Sequence, residues 1–162
     1  MIKAIHIYDM DGTVVDSSHR YKTIIREDGK EVIDLPYWRK YDKPEYIWQD
    51  SLLPLAEQYK EDLKNPEIYV VIATARLCYE SDVNYQYIEQ VLGLPDKFIH
   101  RKETDGNTSG ALLKIKAIRP LLNLKQFKSA MIHVFEDNID YLKKMVDTLG
   151  GMGHYIPSKQ GH

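Results

Sequence analysis

Asp9-Met10-Asp11-Gly12-Thr13 sets two carboxylates two positions apart, directly after the apolar run Ile2 to Tyr8, and follows them with a glycine that lets the backbone turn sharply. Two acids so placed can face one site. A carboxylate attacks phosphorus when the phosphoryl charge is neutralised, and a second carboxyl can protonate the leaving oxygen and later activate water. The expected chemistry is phosphoryl transfer through an aspartyl-phosphate on Asp9, with Asp11 as the acid/base; the plain alternative is a turn or capping pair of acids. Such an attack needs a cation, and Mg²⁺ favours oxygen ligands from one or two carboxylates together with substrate and water. Asp137, with Glu136 beside it, supplies a further ligand. Thr74 offers a hydroxyl and a backbone N–H to a phosphate oxygen. Lys114 can set an ammonium against the transferring group and the nucleophile, balancing charge that a single metal leaves over.

The elements that must position these residues alternate along the chain. Ile2–Tyr8, Ile68–Ala73, Lys97–His100, Met131–Phe135 and His154–Ile156 have the apolar, β-branched character of strands inside a parallel sheet. Helical spacing is expected over about 50–64 (Leu52, Leu55, Tyr59, Leu63), from Ser81 or Asp82 to Gly93, over Ala111–Leu122, and along Ile139, Leu142, Val146 and Leu149. An Asp28-Gly29 pair between β-prone runs predicts a hairpin, and the aromatic and basic stretch Pro36–Pro44, lacking a clean period, reads as a loop. Alternating strands and helices predict an α/β fold: a Rossmann-like three-layer α/β/α sandwich around a central parallel sheet. Ligands bind beyond the carboxyl ends of such strands, which is where Asp9, Asp11, Thr74, Arg76, Glu136 and Asp137 fall.

At 162 residues, 43% hydrophobic and 28% charged, the chain is sized for one soluble domain, 1–162, with 16–50 as a flap or small insertion. A net charge of -2 gives no global field for collecting nucleic acid, so a polyanion would need a local basic patch. The lone Cys78 excludes an internal disulfide, and Met1-Ile2-Lys3 opens on no signal-peptide flank, so a reducing, cytoplasmic setting is expected. No apolar run approaches the ~20 residues that span a bilayer.

In order, Asp9-Met10-Asp11-Gly12-Thr13, Thr74, a lysine and the acidic pair Glu136-Asp137 resemble the four motifs of the haloacid dehalogenase superfamily. The resemblance implies Asp9 as nucleophile, Asp11 as acid/base and, through its carbonyl, a metal ligand, with Asp137 on Mg²⁺. Glu136 stands where the family often has Asp, so its contact stays open. The lysine is Lys114 or Lys116, with Lys114 favoured because it lies nearer the helix start. Asp140 stands behind the metal ligands or serves only as a helix-start charge. Ala73-Thr74-Ala75-Arg76 and Phe135-Glu136-Asp137-Asn138 are most similar to the phosphatase domain of phage-type polynucleotide kinases, which implies substrate contacts from Thr74, Ala75 and Arg76 and a phosphorylated substrate such as a nucleic-acid 3′ end. The short interval between the first two motifs implies no large cap.

Other classes are weaker. No Gly-x-x-x-x-Gly-Lys-[Ser/Thr] occurs, which excludes a kinase phosphate loop. Cys78-Tyr79-Glu80-Ser81 lacks the glycine-rich anion cradle of a cysteine phosphatase. A phosphatase of small nucleotide or sugar phosphates, a phosphotransferase with an acceptor other than water, and an inert phosphate- or partner-binding module remain as alternatives; binding alone would not need the Asp9/Asp11 pair. His6, His100 and His133, in apolar strands, are expected as packed residues. The oligomeric state is open.

Overall fold

A computed structural model describes residues 1–78 and 82–161. In chain order the elements are β1 (Ala4–Tyr8), β2 (Val15–Asp16), β3 (Thr23–Ile25), β4 (Glu31–Ile33), α1 (Leu35–Lys40), α2 (Pro44–Ile47), β5 (Ser51–Leu52) and α3 (Ala56–Leu63). There follow β6 (Ile68–Leu77), α4 (Val83–Tyr87), β7 (Lys97–Arg101), α5 (Gly110–Leu122), β8 (Met131–Glu136), α6 (Ile139–Leu149) and β9 (Met152–Tyr155).

The main sheet has the order β7-β6-β1-β8-β9, and all four of its pairings are parallel. Its inner strands β1 and β6 are largely buried on both faces because their side chains alternate between two apolar layers. Tyr8, Val70, Ile72 and Phe135 face Tyr59, Tyr87 and Ile88, while Ile5, Ile7, Val71 and Val134 face Leu113, Ile118, Leu142 and Met145. The expected three-layer α/β/α architecture is what forms. The chain leaves β1 for β6 and β7 on one side, then returns to β8 and β9 on the other. Strand order therefore reverses between β1 and its neighbours, the place where ligands bind in open parallel sheets. None of the described helices is long and apolar enough to cross a membrane.

Between β1 and β6 lies the stretch 16–50, expected as a flap or small insertion. The predicted hairpin is present: β3 pairs antiparallel with β4, and Gly29 takes the positive φ of 79° that its turn requires. Two expectations are corrected here. The Pro36–Pro44 stretch is not a loop but holds α1 and part of α2. Asp34 caps α1 by accepting from the Tyr37 N–H, and a proline stands in the first turn of each helix; helices this short show no period to read. The helix expected from Asp50 begins only at Ala56, because Ser51 and Leu52 pair as β5 with β2 and Pro54 intervenes.

Elsewhere the boundaries move rather than the types. β6 runs past Ala73 to Leu77, and its register with β7 slips between those two residues, lifting Thr74–Arg76 out of the regular ladder. Asp82 caps α4; Ser81, the other start signal, lies outside the described residues. That helix continues over Ile88–Leu92 as a wider turn and stops at Gly93, whose N–H reaches the Ile88 carbonyl at 2.7 Å.

Candidate active site

The turn after β1 is built on one carbonyl. Met10 C=O accepts from the N–H groups of Thr13, Val14 and Val15, and Gly12 N–H returns to Val15 C=O. Gly12 has φ 80°, and a Cβ there would stand 2.1 Å from Asp137 Oδ2. Glycine is thus required by backbone conformation and by the approach of the second acidic segment. The turn aims Asp9 and Asp11 in different directions, toward two separate charge clusters.

Asp9 enters the first. Lys114, from the second turn of α5, donates to Asp9 Oδ1 at 2.8 Å and to Glu136 Oε2 at 2.7 Å, and Thr13 Oγ1 donates to Asp9 Oδ2 at 3.0 Å. Asp137, just past β8, accepts from Ser158 Oγ at 2.8 Å. Asp9, Glu136 and Asp137 bring carboxylate oxygens within 4.8 Å of one another. Burial would discharge Lys114, but Asp9 and then Glu136 outweigh it and raise its pKa. Burial also pushes Glu136 and Asp137 upward, and the negative charge of Asp9 adds to the shift in both. Three buried carboxylates share one ammonium, a deficit of positive charge with all-oxygen donors, which fits a hard divalent cation such as Mg²⁺. Asp9, Asp137 and Glu136 would hold it.

Asp11 enters the second cluster. Arg76 grips it with Nε on Oδ2 at 2.7 Å and Nη2 on Oδ1 at 2.5 Å, while Ser17 Oγ donates to Oδ1 at 2.5 Å. Arg76 also bonds Asn84 and Asp50, and Asp50 is in turn forked by Arg20. Burial favours the neutral form of Asp11, yet the Arg76 guanidinium outweighs it and holds the carboxyl below its ordinary range. Arg20 and Arg76 lie 4.2 Å and 5.8 Å from the Trp38 ring centre, so the flap roofs this cluster.

The structure thus brings Asp9, Lys114, Glu136 and Asp137 together, and selects Lys114 over Lys116 for the contact with Asp9. Thr74 is buried nearby, its hydroxyl accepting from Arg76 N–H at 3.2 Å, and the Ala75 carbonyl accepts from Arg101 Nε at 3.1 Å. The guanidinium of Arg76 is committed to protein carboxylates. Asp140 sits exposed on the first turn of α6. His6 and His133 pack as expected, His6 on Asp62 and His133 on His154. Sequence reasoning missed Ser17, Asp50, Ser158 and Gln160; the Gln160 amide bonds both the N–H and the hydroxyl of Ser17. No spacing marks them, because each reaches the site through chain reversals.

Residues 1–97 match the model of the family described as bacteriophage T5 5′-deoxynucleotidase. The chain belongs to that family. Within the deoxynucleotidase family, the Escherichia phage T5 5′-deoxynucleotidase is 32% identical over 99 residues, 60% of this chain and 40% of that protein, so the match spans well under half of the relative. Among solved structures, a haloacid dehalogenase-like hydrolase from Streptococcus pneumoniae superposes with TM-score 0.63 at 15% identity, covering 97% of this chain and 88% of that one. The Pnkp1/Rnl/Hen1 complex gives 0.62 at 14%, covering 98% and 47%. This family member therefore has a haloacid dehalogenase-like fold over nearly its whole described length.

Proposed function

We propose that the chain is a Mg²⁺-dependent phosphomonoesterase working through an aspartyl-phosphate on Asp9, with a deoxynucleoside 5′-monophosphate as substrate. The carrying observation is the Asp9–Lys114–Glu136–Asp137 cluster at the point where the strand order reverses, a buried nucleophile with its own ammonium and a matched cation site. The choice of substrate is supported by the family match and the name of the T5 relative.

In the first step an Asp9 oxygen attacks phosphorus, the ester P–O bond breaks, and the leaving oxygen takes a proton from Asp11. In the second, water attacks the phosphorus of the aspartyl-phosphate, Asp11 takes its proton, and inorganic phosphate leaves as Asp9 is restored. Bound Mg²⁺ would screen the charge between phosphoryl group and nucleophile. Lys114 holds Asp9 in place and balances the remaining charge. Thr74 would orient a phosphoryl oxygen. Arg76 keeps resting Asp11 ionised, the form that accepts the water's proton; an incoming phosphoryl anion opposes that depression and favours the protonated form needed first.

The 3′ end of a nucleic acid, implied by the polynucleotide kinase resemblance, is the rival substrate. Over residues 16–50, seven Lys and Arg stand against eight Asp and Glu, so no excess of positive charge is available for a polyanion. Phosphate release is to be measured from deoxynucleoside and ribonucleoside 5′-monophosphates and from 3′- and 5′-phosphorylated oligonucleotides, with Mg²⁺ or EDTA. Preference for the deoxynucleotide, abolished by EDTA, supports the proposal. Preference for the 3′-phosphate moves the function to end repair, and no release from any ester overturns the enzymatic reading.

A further inference from the structure

Asp50 lies outside every motif, yet its carboxylate is wholly buried and anchors the acid/base side of the site. Oδ1 takes Arg20 Nε at 3.0 Å and faces His19 Nε2 at 2.8 Å; Oδ2 takes Arg20 Nη2 at 2.9 Å and Arg76 Nη2 at 3.1 Å. Its backbone is pinned as well. The N–H of Asp50 donates to the Ile47 carbonyl at 3.0 Å, its own carbonyl accepts from Tyr87 Oη at 2.9 Å, and Ser51 beyond it pairs with Asp16. The flap and α4 thus fix this carboxylate from both sides.

A guanidinium is a rigid planar fork, so its orientation is set by the anchors at its far end. Arg76 Nη2 is shared between Asp11 and Asp50, and Nη1 is tied to Asn84 at 2.9 Å. On Asp11, two donors occupy Oδ1 and one occupies Oδ2. A carboxylate has about four acceptor directions, which leaves one, on Oδ2, for proton exchange with substrate or water. We propose that Asp50 is a positioning residue of the reaction: by locking the Arg76 fork it fixes which acceptor direction of Asp11 faces the reacting oxygen. Without Asp50 the fork can pivot about its Cδ–Nε bond, and Asp11 loses that single orientation.

The inference rests on the reading of Asp11 as the proton-transfer group, and a double-mutant cycle tests it. Asp50→Asn, Asp11→Asn and the double variant are compared with the unsubstituted chain on deoxynucleoside 5′-monophosphate at saturating Mg²⁺, with folding checked by near-ultraviolet circular dichroism. Asp50→Asn is expected to lower kcat by roughly 10–100-fold, part of the 10²–10⁴ that general acid/base help supplies, with KM little changed. In the Asp11→Asn background it is expected to cost no more than about twofold, because its effect passes through Asp11. Should Asp50→Asn fail to fold, Asp50→Glu, which keeps the charge but displaces the anchor, is measured instead and must show the same non-additive loss. Losses that multiply, an unchanged kcat, or a loss confined to KM would overturn the inference while leaving the proposed function standing. No phosphate release by the unsubstituted chain would overturn both.

Discussion

The two carboxylates of Asp9-Met10-Asp11 end up in opposite electrostatic situations, although a single residue separates them. Around Asp9, three buried acids gather with one ammonium among the described residues, Lys114 on Asp9 and Glu136, and the carboxyls of Glu136 and Asp137 are driven toward their protonated forms. Around Asp11, two arginines, Arg76 and Arg20, fork onto Asp11 and Asp50, with Asp42 3.6 Å from Arg20, and Asp11 is driven toward its ionised form. The first cluster gathers three acids around one ammonium and fits a cation; in the second, two guanidiniums are forked directly onto Asp11 and Asp50. The difference fits the proposed roles, with metal and phosphoryl group on the Asp9 side and proton exchange on the Asp11 side.

The comparison breaks first at the nucleophile. Asp9→Asn should keep the fold, because the amide oxygen still accepts from Lys114 while its N–H₂ can donate to Thr13 Oγ1, and should lose turnover by on the order of 10³-fold or more. Wild-type phosphate release from that variant would place the nucleophile elsewhere. Next comes a difference in sign between neutralising substitutions. Asp50→Asn leaves two buried guanidiniums under-paired and should destabilise by roughly 3–5 kcal/mol, as broken buried ion pairs do. Asp137→Asn relieves repulsion and still offers an amide hydrogen to Asp9, so in EDTA it should raise the melting temperature; equal losses in both variants would erase the distinction.

Much of this contrast was written in residue types, and part was not. The strands of the main sheet carry enough β-branched residues to be placed from sequence, and Asp9, Thr74, Lys114, Glu136 and Asp137 fall near strand ends or helix starts where local patterns reveal them. The helices of the flap were hidden because α1 and α2 span one or two turns, too few for periodicity to register. Asp50 stands where a helix is expected to begin, and it is instead held beside β5, which pairs with β2, with its carboxylate on Arg20 and Arg76. The role of Arg76 likewise depended on the slip in β6 register, which no composition announces.

A smaller effect sharpens the metal side. Ser158 is a neutral donor on Asp137 Oδ2, and Ser17 stands in the same relation to Asp11 Oδ1. Residues that orient a ligand typically change metal affinity by ~10-fold or more when removed, so Ser158→Ala should weaken Mg²⁺ binding by about that factor. Ser17→Ala should leave Mg²⁺ affinity alone and lower kcat instead. Titration of Mg²⁺ by calorimetry, beside kinetics at saturating metal, separates the two; a shared effect would mean that the clusters are one unit.

The smallest expected effect is a tilt of stability with pH, and the clusters predict opposite contributions. Glu136 and Asp137 have folded pKa values raised above their unfolded ones, so the folded chain holds more protons there; their contribution is complete below about pH 4 and is lost as pH rises through the raised values. Asp11, with its folded value lowered, contributes above about pH 4 and loses that contribution only as pH falls through the lowered value. Between about pH 5 and pH 8, then, only the Asp9 cluster among these tilts the curve, by at most ~1.4 kcal/mol per pH unit for each group. His133, lowered by burial and by the neighbouring histidines His6 and His154, tilts the other way, so the reading to take is the difference between unsubstituted chain and Asp137→Asn. In EDTA that difference should grow with pH in favour of the variant, and saturating Mg²⁺ should abolish it by supplying the charge the cluster lacks. A difference flat in pH without metal would show that the three carboxylates are already balanced, and the contrast with the Asp11 cluster would fall.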